Sequence, residues 1–264
     1  MSRERVLITG AGSGFGLALA QRYAAGGARV LCVDINAERA EAARASLPGD
    51  AHLAFAADVG CDDSMDALAA AVNAATGGVD VLLNNAGIAS GGPLLGSSMA
   101  EWRRLLEINL LGVVRGTQRF LPGMVERRRG HVASTASFAG LAGAPGIMSY
   151  GVAKAAVVAF SEQLRAEMHG TGVRVSVICP AFFQTNLLQN FEGDPATRGM
   201  AAKMMMRSSD TCDAVADGTY RSLRAGEYMI LPTRAEPMRW RLKRWFPDWY
   251  FKKMVGTVAA MRRG

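Results

Sequence analysis

Short runs of Val, Ile and Leu recur along the chain and alternate with longer Ala-, Arg- and Glu-rich stretches, whose apolar residues return every three or four positions. The first kind reads as strands and the second as amphipathic helices. The pattern predicts strands at 5–9, 29–33, 52–57, 80–84, 130–135, 173–179 and 227–231, and helices near 14–26, 37–47, 62–76, 100–128, 149–169 and 211–225. Strands that are apolar at successive positions are strands covered on both faces. The expected architecture is therefore a doubly wound, Rossmann-type α/β fold, a seven-stranded parallel sheet with helices on both faces and a helical C-terminal tail. Residues 1–234 read as one domain, with 186–210 its least regular segment; residues 235–264 read as an extension of that domain, divided by Pro247. Sheets of this kind bind ligands beyond the carboxyl ends of their strands, which directs attention to the residues that follow each strand.

Composition changes little in this picture. Half of the 264 residues are apolar and a fifth are charged, an ordinary globular balance. No apolar run reaches membrane-spanning length, and the strand-like Val6-Leu7-Ile8 follows Met1 too closely for a signal peptide. Cys32, Cys61, Cys179 and Cys212 are far apart and form no metal-ligand pattern. These features predict a cytoplasmic, metal-free protein with free thiols. The net charge of +7 hints at nucleic acid, but all but about one unit lies in residues 235–264, where eight Arg or Lys face only Glu236 and Asp248. With a nearly neutral body and no reader motif, nucleic-acid binding is not expected.

After the first strand comes Thr9-Gly10-Ala11-Gly12-Ser13-Gly14-Phe15-Gly16, followed by an Ala- and Leu-rich helix. Glycines let backbone N–H groups approach a pyrophosphate, and the helix N-terminus adds partial positive charge. A glycine loop alone is weak evidence; one between a strand and a helix points to a dinucleotide. Gly10, Ser13, Gly14, Phe15 and Gly16 are the expected contacts. Asp34 ends the second strand, where a carboxylate accepts from both adenosine ribose hydroxyls and repels a 2′-phosphate. Ser13 and Ile35 offer no cation for that phosphate, so NAD is expected over NADP. Asp58-Val59 follows the third strand and Asn84-Asn85-Ala86-Gly87 the fourth. Asp58 and Val59 are assigned to the adenine end, and Asn85, Ala86 and Gly87 to the cofactor backbone. Asn84 either ties strands together or touches a ligand.

Tyr150 and Lys154 stand four residues apart at the start of a predicted helix and share its face. An unperturbed tyrosine, with a pKa near ~10, exchanges protons poorly at neutral pH, and a neighbouring ammonium stabilises the phenolate. Tyr-x-x-x-Lys alone marks two surface neighbours as readily as a site. Together, however, Thr9–Gly16, Asn84–Gly87, Asn109, Ser137, Tyr150/Lys154 and Pro180…Thr185 stand in an order and spacing that resembles the short-chain dehydrogenase/reductase family, over about residues 3–232. The resemblance implies an NAD-dependent enzyme that interconverts a secondary alcohol and a ketone. Tyr150 would be the general acid/base, and Lys154 would lower its pKa and hold the nicotinamide ribose. Ser137, thirteen residues before the tyrosine, would bind the substrate oxygen, leaving Ser134 structural. Asn109 would bend its helix and help hold a proton-relay water. Pro180, Phe183 and Thr185 would meet the nicotinamide side. Two positions depart from the family pattern: Ala181 stands where glycine is usual, and Ser134 where asparagine is usual. Neither removes a catalytic group.

The resemblance makes 186–210 the substrate lid, and Leu187, Leu188, Met200, Met204, Met205 and Met206 suggest a bulky lipophilic substrate, steroid-like, terpenoid or long-chain. Those side chains serve equally well to pack the lid, and the charged Arg198, Lys203 and Arg207 leave room for an anionic substrate. In the tail, Trp240, Trp245 and Trp249 are interleaved with basic residues, and Tyr250, Met254 and Val258 recur at helical spacing. Packing on the lid, on the body or on a second subunit, in a homodimer or homotetramer, is preferred to contact with an anionic membrane surface. Two rivals to the enzyme remain. A non-catalytic NAD(H)-binding sensor on the same fold would be expected to lose Tyr150 or Lys154. An epimerase or dehydratase would need a longer substrate domain.

Overall fold

The computed structural model describes residues 3–185, 187–188 and 191–261. Seven parallel strands form the central sheet in the order β3-β2-β1-β4-β6-β7-β9. They are β1 (Arg5–Thr9), β2 (Arg29–Asp34), β3 (Leu53–Ala56), β4 (Val81–Asn84), β6 (Gly130–Thr135), β7 (Val173–Ile178) and β9 (Met229–Ile230). Between and after them run α1 (Gly14–Ala25), α2 (Ala37–Ser46), α3 (Asp62–Thr76), α4 (Met99–Leu106), α5 (Gly112–Glu126), α7 (Met148–Glu167) and α9 (Cys212–Ala225). The period-two pleat splits each central strand between two cores. Val6 and Ile8 pack with α1 and α9 residues such as Leu19, Tyr23 and Leu223, while Leu7 points the other way, to Met65, Phe120 and Met124. That double burial is why the strands read as continuous apolar runs.

The predicted elements are present, with four corrections. The single helix expected at 100–128 is α4 and α5 joined by a π-helical turn at Glu107–Leu111. A short helix, α6 (Ala139–Ala142), follows the sixth strand in sequence, and the last strand shrinks to two residues. The segment expected to be irregular contains α8 (Pro195–Arg207), capped by the Asp194 carboxylate, which accepts from Thr197 N–H at 2.9 Å. It also contains β8 (Glu192–Gly193), which pairs in parallel with β5 (Ser90–Gly91) in a small second sheet. Strands of two residues carry no periodicity, so the sequence has no signal for them.

In the tail, α10 (Glu236–Trp245) and α11 (Pro247–Met261) break at Phe246-Pro247, as the proline implied. Trp240 packs against the body, and Lys243 Nζ donates to the Leu141 carbonyl of α6. Trp245 (71% exposed), Phe246, Trp249 and Phe251 remain open to solvent. Arg262 and Arg263, and the side chain of Val258, lie outside the described residues.

Opposite the carboxyl ends of the strands, Asp80 fastens the chain's beginning to the sheet. It accepts from the Arg5 backbone N–H and Nε, each at 2.9 Å, and from Arg129 Nη2 at 3.1 Å. Burial alone would raise the Asp80 carboxyl, but the hydrogen bonds from Arg5 and Arg129 outweigh it and hold the group well below the usual carboxylate range. A depressed native pKa means that its contribution to stability is complete above the unfolded value near ~4 and is lost as pH falls below it. Asp80→Ala is expected to lower stability at pH 7 by about 3 kcal/mol, since it leaves Arg5 partly buried without its partner. Urea melts at pH 7 and pH 3 check this: the difference between wild type and variant should narrow at the lower pH.

Candidate active site

The loop from Thr9 to Gly16 is folded to the thickness of its own backbone. Gly10 has a positive φ of 66°, and a Cβ on Gly16 would lie 2.1 Å from the Gly10 carbonyl oxygen. Ser13, the N-cap of α1, is extended and places no side chain on the helix's first N–H groups, and no acid occupies that turn. A glycine cradle that any Cβ would fill, opening on an uncapped helix N-terminus, fits a pyrophosphate.

Three strand ends are laced together beside it. Thr9 Oγ1 accepts from the Asn85 and Ala86 N–H groups at 2.9 and 3.0 Å. Asn85 Nδ2 donates to Thr9 O at 3.0 Å, and Thr135 Oγ1 donates to Asn85 Oδ1 at 3.2 Å. The Asn85 side chain thus joins β1, β4 and β6, and Ala86 sits next to Gly10. Asn84 Nδ2 donates to Thr117 Oγ1 of α5 at 3.1 Å, a tie from strand to helix rather than between strands, while its buried Oδ1 has no partner among the described residues. Half-buried Asp58 accepts from Gly60 N–H at 2.8 Å, and Val59 is buried against Gly112.

Asp34 is nearly buried at the end of β2. Its Oδ2 accepts from Gly12 N–H at 3.1 Å; its Oδ1 accepts from Asn36 N–H at 3.1 Å and Arg39 Nη2 at 2.8 Å. Arg39 corrects the expectation that this corner lacks a cation. It stands five residues on, in the first turn of α2, and the helix carries its guanidinium back to the strand end. Its reach to Asp34 is set by the direction in which α2 leaves the strand end, and the residues next to the loop and strand do not mark it.

At the other half of the sheet, β6 and α6 present Ser137 while the start of α7 presents Tyr150 and Lys154. Ser137 Oγ accepts from Ala139 N–H at 3.1 Å, donates to Pro180 O at 3.4 Å and hydrogen-bonds the Tyr150 phenol. Burial raises the Tyr150 pKa, and the Ser137 hydrogen bond only partly opposes it. Lys154 Nζ lies 5.9 Å from the centre of the Tyr150 ring and donates to Thr135 O at 2.8 Å. Burial pushes the Lys154 ammonium down to about 8, against the opposing influence of Cys179. The net direction for the phenol is upward, set by burial.

Asn109 is fully buried in the π-helical turn, the local bend expected of it. Its Oδ1 accepts from Ile88 N–H at 3.0 Å, and its Nδ2 donates to Ile88 O at 2.9 Å. A Cβ on Gly87 would lie 2.5 Å from Asn109 Oδ1 and 3.5 Å from Lys154 Nζ, so Gly87, Asn109 and Lys154 meet at one point. Past β7, Phe183 is buried edge-on against Phe15 of the glycine loop, with ring centres 5.4 Å apart, which joins the two halves of the site. Next to it an open cavity of about 610 Å³ is lined by Gln184, Thr185, Leu188, Ala202, Met205 and Met206. Met200, Met204 and Met206 are exposed rather than packed inward, and Asn186 lies outside the described residues.

The predicted residues therefore come together at one edge of the sheet, and the chain has recognisable relatives. The family model for short chain dehydrogenases matches residues 4–196. A D-threitol dehydrogenase of Mycolicibacterium smegmatis is 41% identical over 202 residues, 76% of this chain and 77% of that protein. A meso-2,3-butanediol dehydrogenase of Serratia marcescens is 37% identical over 182 residues, 69% of this chain and 72% of that one. Among solved structures, a short chain dehydrogenase/reductase from Burkholderia phymatum in complex with NAD superposes with a TM-score of 0.86 at 29% identity, covering 94% of this chain and 95% of that one.

Proposed function

Because this chain belongs to the short-chain dehydrogenase/reductase family of nicotinamide-dependent oxidoreductases, we propose that it interconverts a secondary alcohol and a ketone with NAD, using Tyr150 as the general acid/base. The observation that carries this reading is the meeting of Ser137, Tyr150 and Lys154 on the sheet edge that also holds the glycine cradle. When bound, the nicotinamide accepts or supplies the hydride. Gly10, Ser13, Gly14, Phe15 and Gly16 hold the pyrophosphate, Asp34 the adenosine ribose, Asp58 and Val59 the adenine, and Asn85, Ala86 and Gly87 the middle of the cofactor. Tyr150, Lys154, Pro180, Phe183 and Thr185 border its nicotinamide end.

The phenol of Tyr150 exchanges a proton with the substrate oxygen, and Ser137 Oγ donates to that oxygen as negative charge develops. A Lys154 pKa of about 8 leaves the ammonium mostly charged at neutral pH. Deprotonating a phenol that burial has made reluctant is then easiest beside that charge. Asn109 keeps Ile88 and the bent helix in place next to Lys154.

For the substrate we favour a bulky lipophilic alcohol, a reading supported by Leu188, Ala202, Met205 and Met206 on one side of an open cavity that Gln184 and Thr185 complete. The names of the two dehydrogenase relatives favour a second reading, a small polyhydroxy alcohol. An NADH-fluorescence screen decides: steroid, terpenoid and long-chain secondary alcohols should give a higher kcat/KM than 2,3-butanediol or threitol. The reverse order replaces the lipophilic reading. No turnover of any alcohol while NAD still binds favours the sensor.

Residues 235–264 extend the same domain in this reading, a cytoplasmic homodimer or homotetramer in which the exposed aromatic face of α10 and α11 meets another subunit. No helix among the described residues is long and apolar enough to cross a membrane. Deleting 235–264 should reduce the assembly measured by light scattering from a dimer or tetramer to a monomer of the shortened chain. Loss of liposome co-sedimentation instead would place that face on a membrane surface.

A further inference from the structure

One carboxylate outside the set assigned above lies between the substrate lid and the start of the catalytic helix. Glu101 stands in the first turn of α4, whose N-cap Ser98 accepts from the Glu101 N–H at 3.1 Å. Its Oε1 accepts from two hydroxyls on different elements, Ser90 Oγ at 2.5 Å and Ser149 Oγ at 2.8 Å. Both serines are 2% exposed.

Each serine belongs to a part of the site that has to be placed correctly. Ser149 immediately precedes Tyr150, in the first turn of α7, where the N-cap Ile147 supplies no side-chain hydrogen bond. The Glu101 charge at that end therefore also favours the α7 dipole. Ser90 is in β5, which pairs with β8 in the lid segment, and the Asp194 N–H that follows β8 donates to Gly91 O at 2.8 Å. The same short stretch reaches the catalytic helix a second time, where Gly92 N–H donates to Gly146 O at 2.8 Å and Gly92 bridges Ile147. Lid strand, β5 and the turn before Tyr150 are thus joined in sequence, with Glu101 Oε1 beneath the junction.

We propose that Glu101 is a positioning residue that sets the start of the Tyr150 helix and the lid's docking strand in one register, so that seating of the lid and placement of the phenol depend on a single acceptor. It acts through Ser90 and Ser149. The proposal rests on the alcohol–ketone reading only for its kinetic part. A misplacement of about 1 Å at a reacting group can cost on the order of 100-fold in rate, so loss of this acceptor shows in kcat and in KM.

The test uses the full chain and the variants Glu101→Ala, Glu101→Gln, Ser90→Ala and Ser149→Ala. Glutamine keeps an Oε1 acceptor, so Glu101→Gln should stay within about threefold of wild type while Glu101→Ala loses about 30- to 100-fold in kcat/KM. Ser149→Ala should act mainly on kcat and Ser90→Ala mainly on KM, and neither should add much to Glu101→Ala. Amide hydrogen exchange on the protein alone gives a readout without turnover: Glu101→Ala should speed exchange at both 146–152 and 191–197. If Glu101→Ala is folded and neither region changes, or if Glu101→Gln is as impaired as Glu101→Ala, the proposal fails. If wild type turns over no alcohol but the exchange result holds, the clamp stands and the functional reading falls.

Discussion

Tyr150→Phe is expected to reduce turnover by on the order of 10³-fold, because it removes the proton-exchanging oxygen and little else. The aromatic ring keeps its place at the start of α7, so the melting temperature should change little and NAD should bind within about threefold of wild type. Lys154→Met should behave differently. Lys154 is 4% exposed and donates to Thr135 O, so its loss orphans a carbonyl at the end of β6 as well as removing the charge beside the phenol. Weaker NAD binding and lower kcat should appear together in that variant. Stopped-flow NADH fluorescence across pH 6–10 separates the two cases. Tyr150→Phe activity within tenfold of wild type, with an unchanged pH profile, would assign the acid/base role to another group.

The second large effect is on cofactor choice. Asp34→Ser should lower kcat/KM for NAD by about 10- to 100-fold, the loss of charge-assisted hydrogen bonds to the ribose. The same change should raise NADP use, since it removes the carboxylate that repels a 2′-phosphate and releases the Arg39 guanidinium now paired to it at 2.8 Å. Adding Arg39→Ala should abolish the gain with NADP while leaving the NAD loss as it was. An unchanged NAD/NADP ratio in Asp34→Ser would remove Asp34 from the ribose site. Because Asp34 also accepts from Gly12 and Asn36 N–H, a serine that keeps one acceptor is the appropriate replacement.

How far this site is legible in the sequence depends on how local each interaction is. Gly10 to Gly16, and Tyr150 with Lys154, are short-range arrangements, and backbone geometry alone places them at a strand–helix junction and on one helix face. Ser137 is read through a family spacing, and the structure brings it to the Tyr150 phenol. The shift of that phenol is not legible, because burial by the surrounding fold drives it upward. Arg39 and Glu101 were missed for a related reason. Each is an ordinary charged residue in a helix's first turn, and what it touches is fixed by how α2 and α4 pack, not by its neighbours in the chain.

The sequence by itself determined the doubly wound sheet, because burial on both faces writes continuous apolar runs that few other architectures explain. It also determined the glycine loop and the Tyr150/Lys154 pair, whose geometry lies within one turn of backbone. Only the tertiary structure decided the rest. The β5–β8 pairing joins residues about a hundred positions apart through two-residue strands, too short to leave a period. The Asp34–Arg39 pair and the Ser90–Glu101–Ser149 junction depend on side chains meeting across elements, where a few ångströms of packing decide which groups hydrogen-bond.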